Sequence, residues 1–216
     1  MEYMNYDEVN EYIEGLYEND KLSQKHYSEE TELEEYGQVI DDEVARMLQV
    51  LILASKPKRV LEIGTSIGFS TVMMAKAMKH YGGRIVTIEL DEAVAEQAKL
   101  NFKRQGVDDM IEVIIGDAQV IVAGLSPGFD LIFQDVGDKA LYPEMIDDCL
   151  RLLNTGGLLL AEDVLFPLFE FDGEYSCLNQ MREPLDAFNR SIAKSPRFES
   201  ALLPIGDGLM VAVKIT

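Results

Sequence analysis

Apolar positions along this chain follow two rhythms. Between residues 38 and 57 they recur at helical spacing: Ile40, Val44, Met47, Leu48, Leu51 and Ile52 form one stripe, predicting an amphipathic helix that ends before Pro57. Beyond Pro57, short and nearly unbroken apolar runs alternate with longer periodic stretches. RVLEI, RIVTIEL, IEVII, FDLIFQD and LLLAEDV predict strands. Helices are predicted over 68–80, over 91–105 and along the stripe Tyr142, Ile146, Cys149, Leu150 and Leu153. Asp91 is placed to cap the start of the second of these, and Gly106 lies just past its end.

Strands that are apolar along their whole length and separated by helices predict a parallel sheet with helices on both faces. The last thirty-odd residues break the rhythm. A helix over 178–194 carries Leu178, Met181, Leu185, Phe188 and Ile192 on one side, with Pro184 kinking it or marking its true start. Two strands then follow across the short turn PIGDG, which leaves no room for a helical crossover, so they pair antiparallel. At the other end, Val9, Tyr12, Ile13 and Leu16 suggest a short helix before a polar connector. The class is α/β, a Rossmann-like doubly wound sheet, mostly parallel, without internal repeats.

Composition narrows the partners. The formal net charge is −20, and residues 1–46 hold 15 acids against 3 bases. Such a field repels phosphate backbones and makes a nucleic-acid partner unlikely, while it attracts cations. No apolar run approaches the roughly 20 residues that span a bilayer, and the acidic opening is unlike a targeting peptide, so no membrane partner and a cytoplasmic location are expected. Cys149 and Cys177 stand far apart, in no CxxC or Cys/His cluster, and read as plain thiols.

The loop VLEIGTSIGFS occupies the first strand-to-helix turn, where open α/β sheets bind ligands. A dinucleotide fingerprint needs G-x-G-x-x-G, so that backbone can approach a pyrophosphate. Here Gly64 and Gly68 are spaced G-x-x-x-G, Ser66 fills the middle position, and Glu62 brings negative charge to the preceding strand. Glu62 suits an ammonium group, Glu89 at the end of the next strand suits the two hydroxyls of a ribose, and Asp117 in GDAQ suits an adenine amino group. A nucleoside with a cationic amino-acid tail and no phosphates is S-adenosylmethionine. A nicotinamide dehydrogenase would require the missing glycine.

From about Thr31 to Lys214 the chain resembles the class I S-adenosylmethionine-dependent O-methyltransferases of the catechol and caffeoyl-coenzyme A type. The pieces that carry the resemblance are YGQ, VLEIGTSIGFS, TIELD, GDAQ, FDLIFQD, TGGLLLAEDVL, AFNRSIAKSPRFE and LPIGDGL. It implies a seven-stranded sheet with the last strand reversed, residues 1–37 as a helical cap over the cofactor and 38–216 as the methyltransferase domain. It also implies cofactor contacts from Glu62, Gly64, Thr65, Ser66, Gly68, Ser70, Glu89, Leu90, Asp117, Ala118 and Asp135.

In that family an acid after the fourth strand and an acid-amide pair after the fifth hold a divalent metal. Asp135, Glu162 and Asp163 match these positions, and hard oxygen ligands select Mg²⁺, Mn²⁺ or Ca²⁺. Lys139 is similar to the lysine that takes the proton of a phenolic acceptor, which makes Lys139 and Asp135 the expected catalytic residues. Phe166, Phe169 and Tyr175 are candidates to wall an aromatic acceptor. The resemblance also favours a homodimer.

Two departures stand out. The family usually has asparagine where Asp163 stands, and DVGDK puts the lysine four residues after Asp135 rather than three, so a bulge absorbs the extra residue or Asp138 takes over a role. The expected reaction is methyl transfer to a hydroxyl of a small catechol-like acceptor. The alternatives are a relative acting on a hydroxylated uridine in tRNA, and a cofactor-binding homologue whose metal site has decayed.

Overall fold

A computed structural model of the protein describes residues 6–17 and 22–216. Its elements run α1 (Tyr6–Leu16), α2 (Gln24–Glu29), α3 (Asp42–Ser55), β1 (Arg59–Ile63), α4 (Phe69–Met78), β2 (Arg84–Glu89), α5 (Glu92–Gln105), β3 (Ile111–Ile115), α6 (Ala118–Gly124) and β4 (Phe129–Gln134). They continue with α7 (Leu141–Glu144), α8 (Ile146–Leu152), β5 (Leu153–Ala161), α9 (Arg182–Lys194), β6 (Phe198–Leu203) and β7 (Leu209–Lys214). The seven strands form one sheet in the order β3-β2-β1-β4-β5-β7-β6. All neighbours pair in parallel except β7, which runs against both β5 and β6.

Two apolar layers sandwich the sheet. Val60, Ile85, Leu131, Phe133 and Leu160 face α3, α4 and α5, while Leu61, Ile63, Ile132, Leu159 and Met210 face the layer of α7, α8 and α9. Strands buried on both sides have no polar face to alternate with, which is why they read as continuous apolar runs. Helix α4 is buried at every position but Lys76, matching its lack of an amphipathic stripe.

Several boundaries differ from the sequence expectation. The helix expected from residue 38 starts at Asp42, because Asp41 takes the extended conformation of a helix cap (φ −69, ψ 157) and residues 38–41 run as a strap. The Tyr142–Leu153 stripe is two helices broken at Met145 (φ −91, ψ 1), and Leu153 already belongs to β5. Pro184 marks a start: a 3-10 stretch over Gly173–Met181 precedes α9, and Pro184 sits in its first turn, where a missing N–H breaks no helical bond. Helix α6, too short for a periodic signal, was not anticipated. Asp91 does cap α5, accepting from Ala93 N at 2.7 Å and Val94 N at 3.1 Å, and Gly106 closes it at φ 62.

The strand order reverses between β1 and β4, and a crevice opens at their carboxyl ends. Gly64 is required there. A side chain on it would lie 2.0 Å from the carbonyl oxygen of Asp135, and its φ of 101° is strained for any other residue. Gly68, at φ 89°, similarly admits the ring of Phe102.

Candidate functional site

A cavity of about 780 Å³ fills this crevice, with the residue 35–41 strap among its walls. Its floor is the run of loops at the carboxyl ends of β1, β2, β3, β4 and β5. Gly64, Thr65, Ser66, Ser70, Glu89, Leu90, Asp117, Ala118, Asp135, Lys139, Glu162 and Asp163 all line it. Two expected contacts do not. Gly68 is turned into the packing against Phe102, and Glu62 is fully buried behind the loop.

Glu62 is satisfied by hydroxyls. Ser70 Oγ donates to its Oε1 at 2.6 Å, Thr87 Oγ1 to its Oε2 at 2.6 Å, and Thr71 donates to the same oxygen. Burial pushes its pKa up to about 7, and the three hydroxyls hold it from rising further. Because Ser70 donates backwards to Glu62, the free lone pairs of its oxygen remain for the cavity it lines.

Glu89 is held by backbone. Its Oε2 accepts from Ser66 N at 2.8 Å and its Oε1 from Asp91 N at 3.0 Å, which fixes the plane of the carboxylate and leaves further lone pairs open. Ser66 has a positive φ of 47°, and the strap helps hold it there, since Ser66 Oγ donates to Gly37 O at 2.6 Å. Asp117 caps α6 through one oxygen, accepting from Val120 N at 3.0 Å, so its other oxygen is uncommitted to that cap.

At the far end, Asp135, Glu162 and Asp163 bring one oxygen each within 4.8 Å of one another. Strand β5 stops at Ala161, short of the pair, and Asp163 turns the chain in the left-handed region at φ 65. Asp and Asn are the side chains that tolerate that conformation, which gives a backbone reason for this position. Lys139 is 3% exposed, and its ammonium meets Asp163 Oδ2 at 2.5 Å, Tyr142 Oη at 3.0 Å and Asp135 Oδ1 at 3.4 Å.

Asp138 caps the following turn, accepting from Ala140 N at 3.0 Å.

Burial and the neighbouring carboxylates push Glu162 well above the usual carboxylate range. Burial works against charge on Asp163 too, but Lys139 and the hydrogen bond from Glu162 hold it below its ordinary value. Burial lowers the pKa of Lys139, yet Tyr142, Asp135 and Asp163 outweigh that and raise it well above normal. The donor set fits a hard divalent cation: three carboxylates converge with one lysine between them.

Sequence reasoning missed five side chains. Asp41 and Asp207 join the cavity wall beside the acids; burial raises both, Asp41 to about 6. Leu178 and Met181 line it together with Phe166, whereas Phe169 and Tyr175 do not and are 44% and 60% exposed. Tyr142 lies beneath Lys139. Of these, Asp207 sits in the quoted LPIGDGL and Tyr142 three residues after Lys139, which are the only signals the chain offered.

Cys149 is buried and Cys177 exposed. No helix among the described residues is long and apolar enough to cross a membrane.

Comparison with known proteins gives one answer. The chain is 30% identical over 190 residues to a tapetum-specific methyltransferase of Arabidopsis thaliana, covering 85% of this chain and 80% of that one. It is 33% identical over 170 residues to a catechol O-methyltransferase of Niastella koreensis, covering 74% of each. The solved structure of an S-adenosylhomocysteine-bound methyltransferase from Podospora anserina superposes with a TM-score of 0.82 over 99% of this chain and 98% of its own; at 22% identity it speaks for the fold alone. The O-methyltransferase family model matches residues 16–215, and the chain accordingly belongs to that S-adenosylmethionine-dependent family.

Proposed function

We propose that this enzyme transfers the methyl group to a hydroxyl of a small catechol-like aromatic acceptor, with a divalent cation held by Asp135, Glu162 and Asp163. The observation that carries the reading is the convergence of those three acids at one end of a cavity whose other end is the glycine loop. Small size follows from the cavity volume of about 780 Å³, and the ten carboxylates and single lysine among its lining residues disfavour the polyanionic tRNA alternative.

The residues divide the work. S-adenosylmethionine supplies an electrophilic methyl group. Ser70 Oγ would accept from its ammonium, with Glu62 behind the hydroxyl; Glu89 would accept from the ribose hydroxyls; Asp117, Ala118 and Leu90 would meet the adenine. Thr65 and Ser66 shape the loop, and residues 1–37, of which 1–5 and 18–21 lie outside the described residues, act as the cap over domain 38–216. Phe166, Leu178 and Met181 form the apolar wall against an aromatic ring.

A bound Mg²⁺, Mn²⁺ or Ca²⁺ would lower the pKa of a vicinal hydroxyl and orient its oxygen. A phenol at its ordinary pKa near 10 is mostly protonated at neutral pH. Lys139 is the group placed to take that proton. It would become a base if a cation held by Asp135 and Asp163 drew their charge away from its ammonium.

Calorimetric titration with S-adenosylhomocysteine, with and without Mg²⁺ and catechol, followed by a methyl-transfer assay under chelator, tests the proposal. Binding without chelator-sensitive turnover would transfer support to the cofactor-binding homologue. One contact favours that second reading: the Lys139 ammonium already stands among the acids where a cation would. We further infer a homodimer, which sedimentation would check.

A further inference from the structure

Tyr142 is fully buried, and nothing in the reaction outlined above uses it. Its ring packs edge-on against Phe188 at 5.4 Å, which accounts for the ring but not for the hydroxyl. A buried phenol oxygen needs partners, and an equally shaped phenylalanine would pack without any. The hydroxyl has three neighbours. It lies 3.0 Å from Lys139 Nζ, 3.1 Å from the carbonyl oxygen of Gln134 and 3.0 Å from the carbonyl oxygen of Glu162.

The roles follow from the atoms. An ammonium only donates, so Lys139 donates to the phenol oxygen, and the single phenol proton goes to one of the two carbonyls. Those carbonyls belong to the last residue of β4, next to Asp135, and to Glu162 itself. Glu162 N donates to Gln134 O at 3.1 Å, so the two strand ends are already joined, and the phenol is tied to the joint.

Lys139 has three protons and three acceptors here, and two of the acceptors, Asp135 and Asp163, are the proposed cation ligands. Tyr142 is the third. It is the partner that would keep its lone pair for Lys139 if the two carboxylates engaged a cation. We propose that Tyr142 is a positioning residue, whose hydroxyl holds the Lys139 amine at the acceptor end of the cavity and registers it against both acid-bearing strands. This rests on the reading of Lys139 as the proton acceptor.

The test compares Tyr142→Phe, Lys139→Met and the double variant in the Mg²⁺-loaded chain, with S-adenosylmethionine and catechol. Tyr142→Phe should lower kcat about tenfold or more, with the acceptor KM and the S-adenosylhomocysteine affinity within about twofold of wild type. Lys139→Met should fall further, and adding Tyr142→Phe to it should change kcat by less than about twofold, since a residue acting through the lysine has nothing left to act on.

A readout independent of activity is reductive methylation of Lys139, followed by peptide mass spectrometry with and without Mg²⁺. Loss of the hydroxyl should speed this labelling several-fold in the Mg²⁺-loaded chain. Wild-type kcat and labelling in Tyr142→Phe beside an inactive Lys139→Met would overturn the inference alone, as would an equal drop in both backgrounds. Wild-type kcat in Lys139→Met would instead overturn the lysine reading.

Discussion

At the glycine-loop end of the cavity, each acid is met by donors from the protein itself: three hydroxyls for Glu62, two backbone N–H groups for Glu89, the first turn of α6 for Asp117. At the other end Asp135, Glu162 and Asp163 converge on one another, with the single Lys139 ammonium against Asp135 and Asp163. The first arrangement is complete without a ligand and presents the lone pairs that remain. The second has more negative charge than its protein partners balance, and a buried carboxylate without a counter-charge is costly. On the proposed reading, one end is preorganised for a neutral sugar and a modest positive tail, and the other for a cation.

The sharpest way to break this contrast is to remove an acid from the unbalanced end. Glu162→Gln should lower Mg²⁺-dependent turnover by about a hundredfold or more while leaving S-adenosylhomocysteine affinity nearly unchanged. Equal losses of both in calorimetry and assay would show that the two ends are not separate. Gly64→Ala attacks the seam between them, since its new methyl would collide with the Asp135 carbonyl. It should cost about 3 kcal/mol in urea unfolding and weaken both cofactor and metal binding.

Glu62 sharpens the comparison through pH. Its folded pKa of about 7 lies above the ordinary 4.5, so the fold prefers the protonated form. The corresponding stability is present in full below pH 4.5 and is lost as pH rises through 7, a change of up to about 3 kcal/mol. Glu62→Gln lacks that slope, and saturating S-adenosylhomocysteine, whose ammonium favours the ionised form, should flatten it in the wild type. Parallel stability curves for the two proteins from pH 4.5 to 7.5 would refute this. The smallest effect belongs to Asp117→Ala, which should cost about 1 kcal/mol through the lost α6 cap and weaken cofactor binding only modestly.

Much of the geometry of the glycine-loop end was legible in the sequence because its signals are local. Gly64 must be glycine, Asp91 caps the helix that immediately follows it, and Glu89 closes a strand whose apolar run marks its own end. The acid end depends on residues far apart in the chain. Asp41 reaches the cavity by way of an extended strap that helical periodicity around Ile40 disguised, and Asp207 arrives only because β7 is inserted between β5 and β6. Tyr142 looked like one more apolar position in a stripe, and no pattern of hydrophobicity distinguishes a ring that packs from a hydroxyl that also binds. The raised pKa of Lys139 was equally hidden, since Asp163 meets it from another strand end.

The insertion of β7 has a consequence for how the protein is made. Val164 N donates to Gly208 O at 3.2 Å and Leu165 N to Asp207 O at 2.9 Å, so the segment leaving Asp163 is stapled to the turn that introduces the reversed strand. A ribosome delivers β1, β2 and the nucleoside-facing loop long before residues 207 and 208 emerge. The acid cluster therefore acquires its geometry only after residues 207 and 208 emerge, and a nascent chain stalled before that turn would carry a finished glycine loop beside unfinished acids.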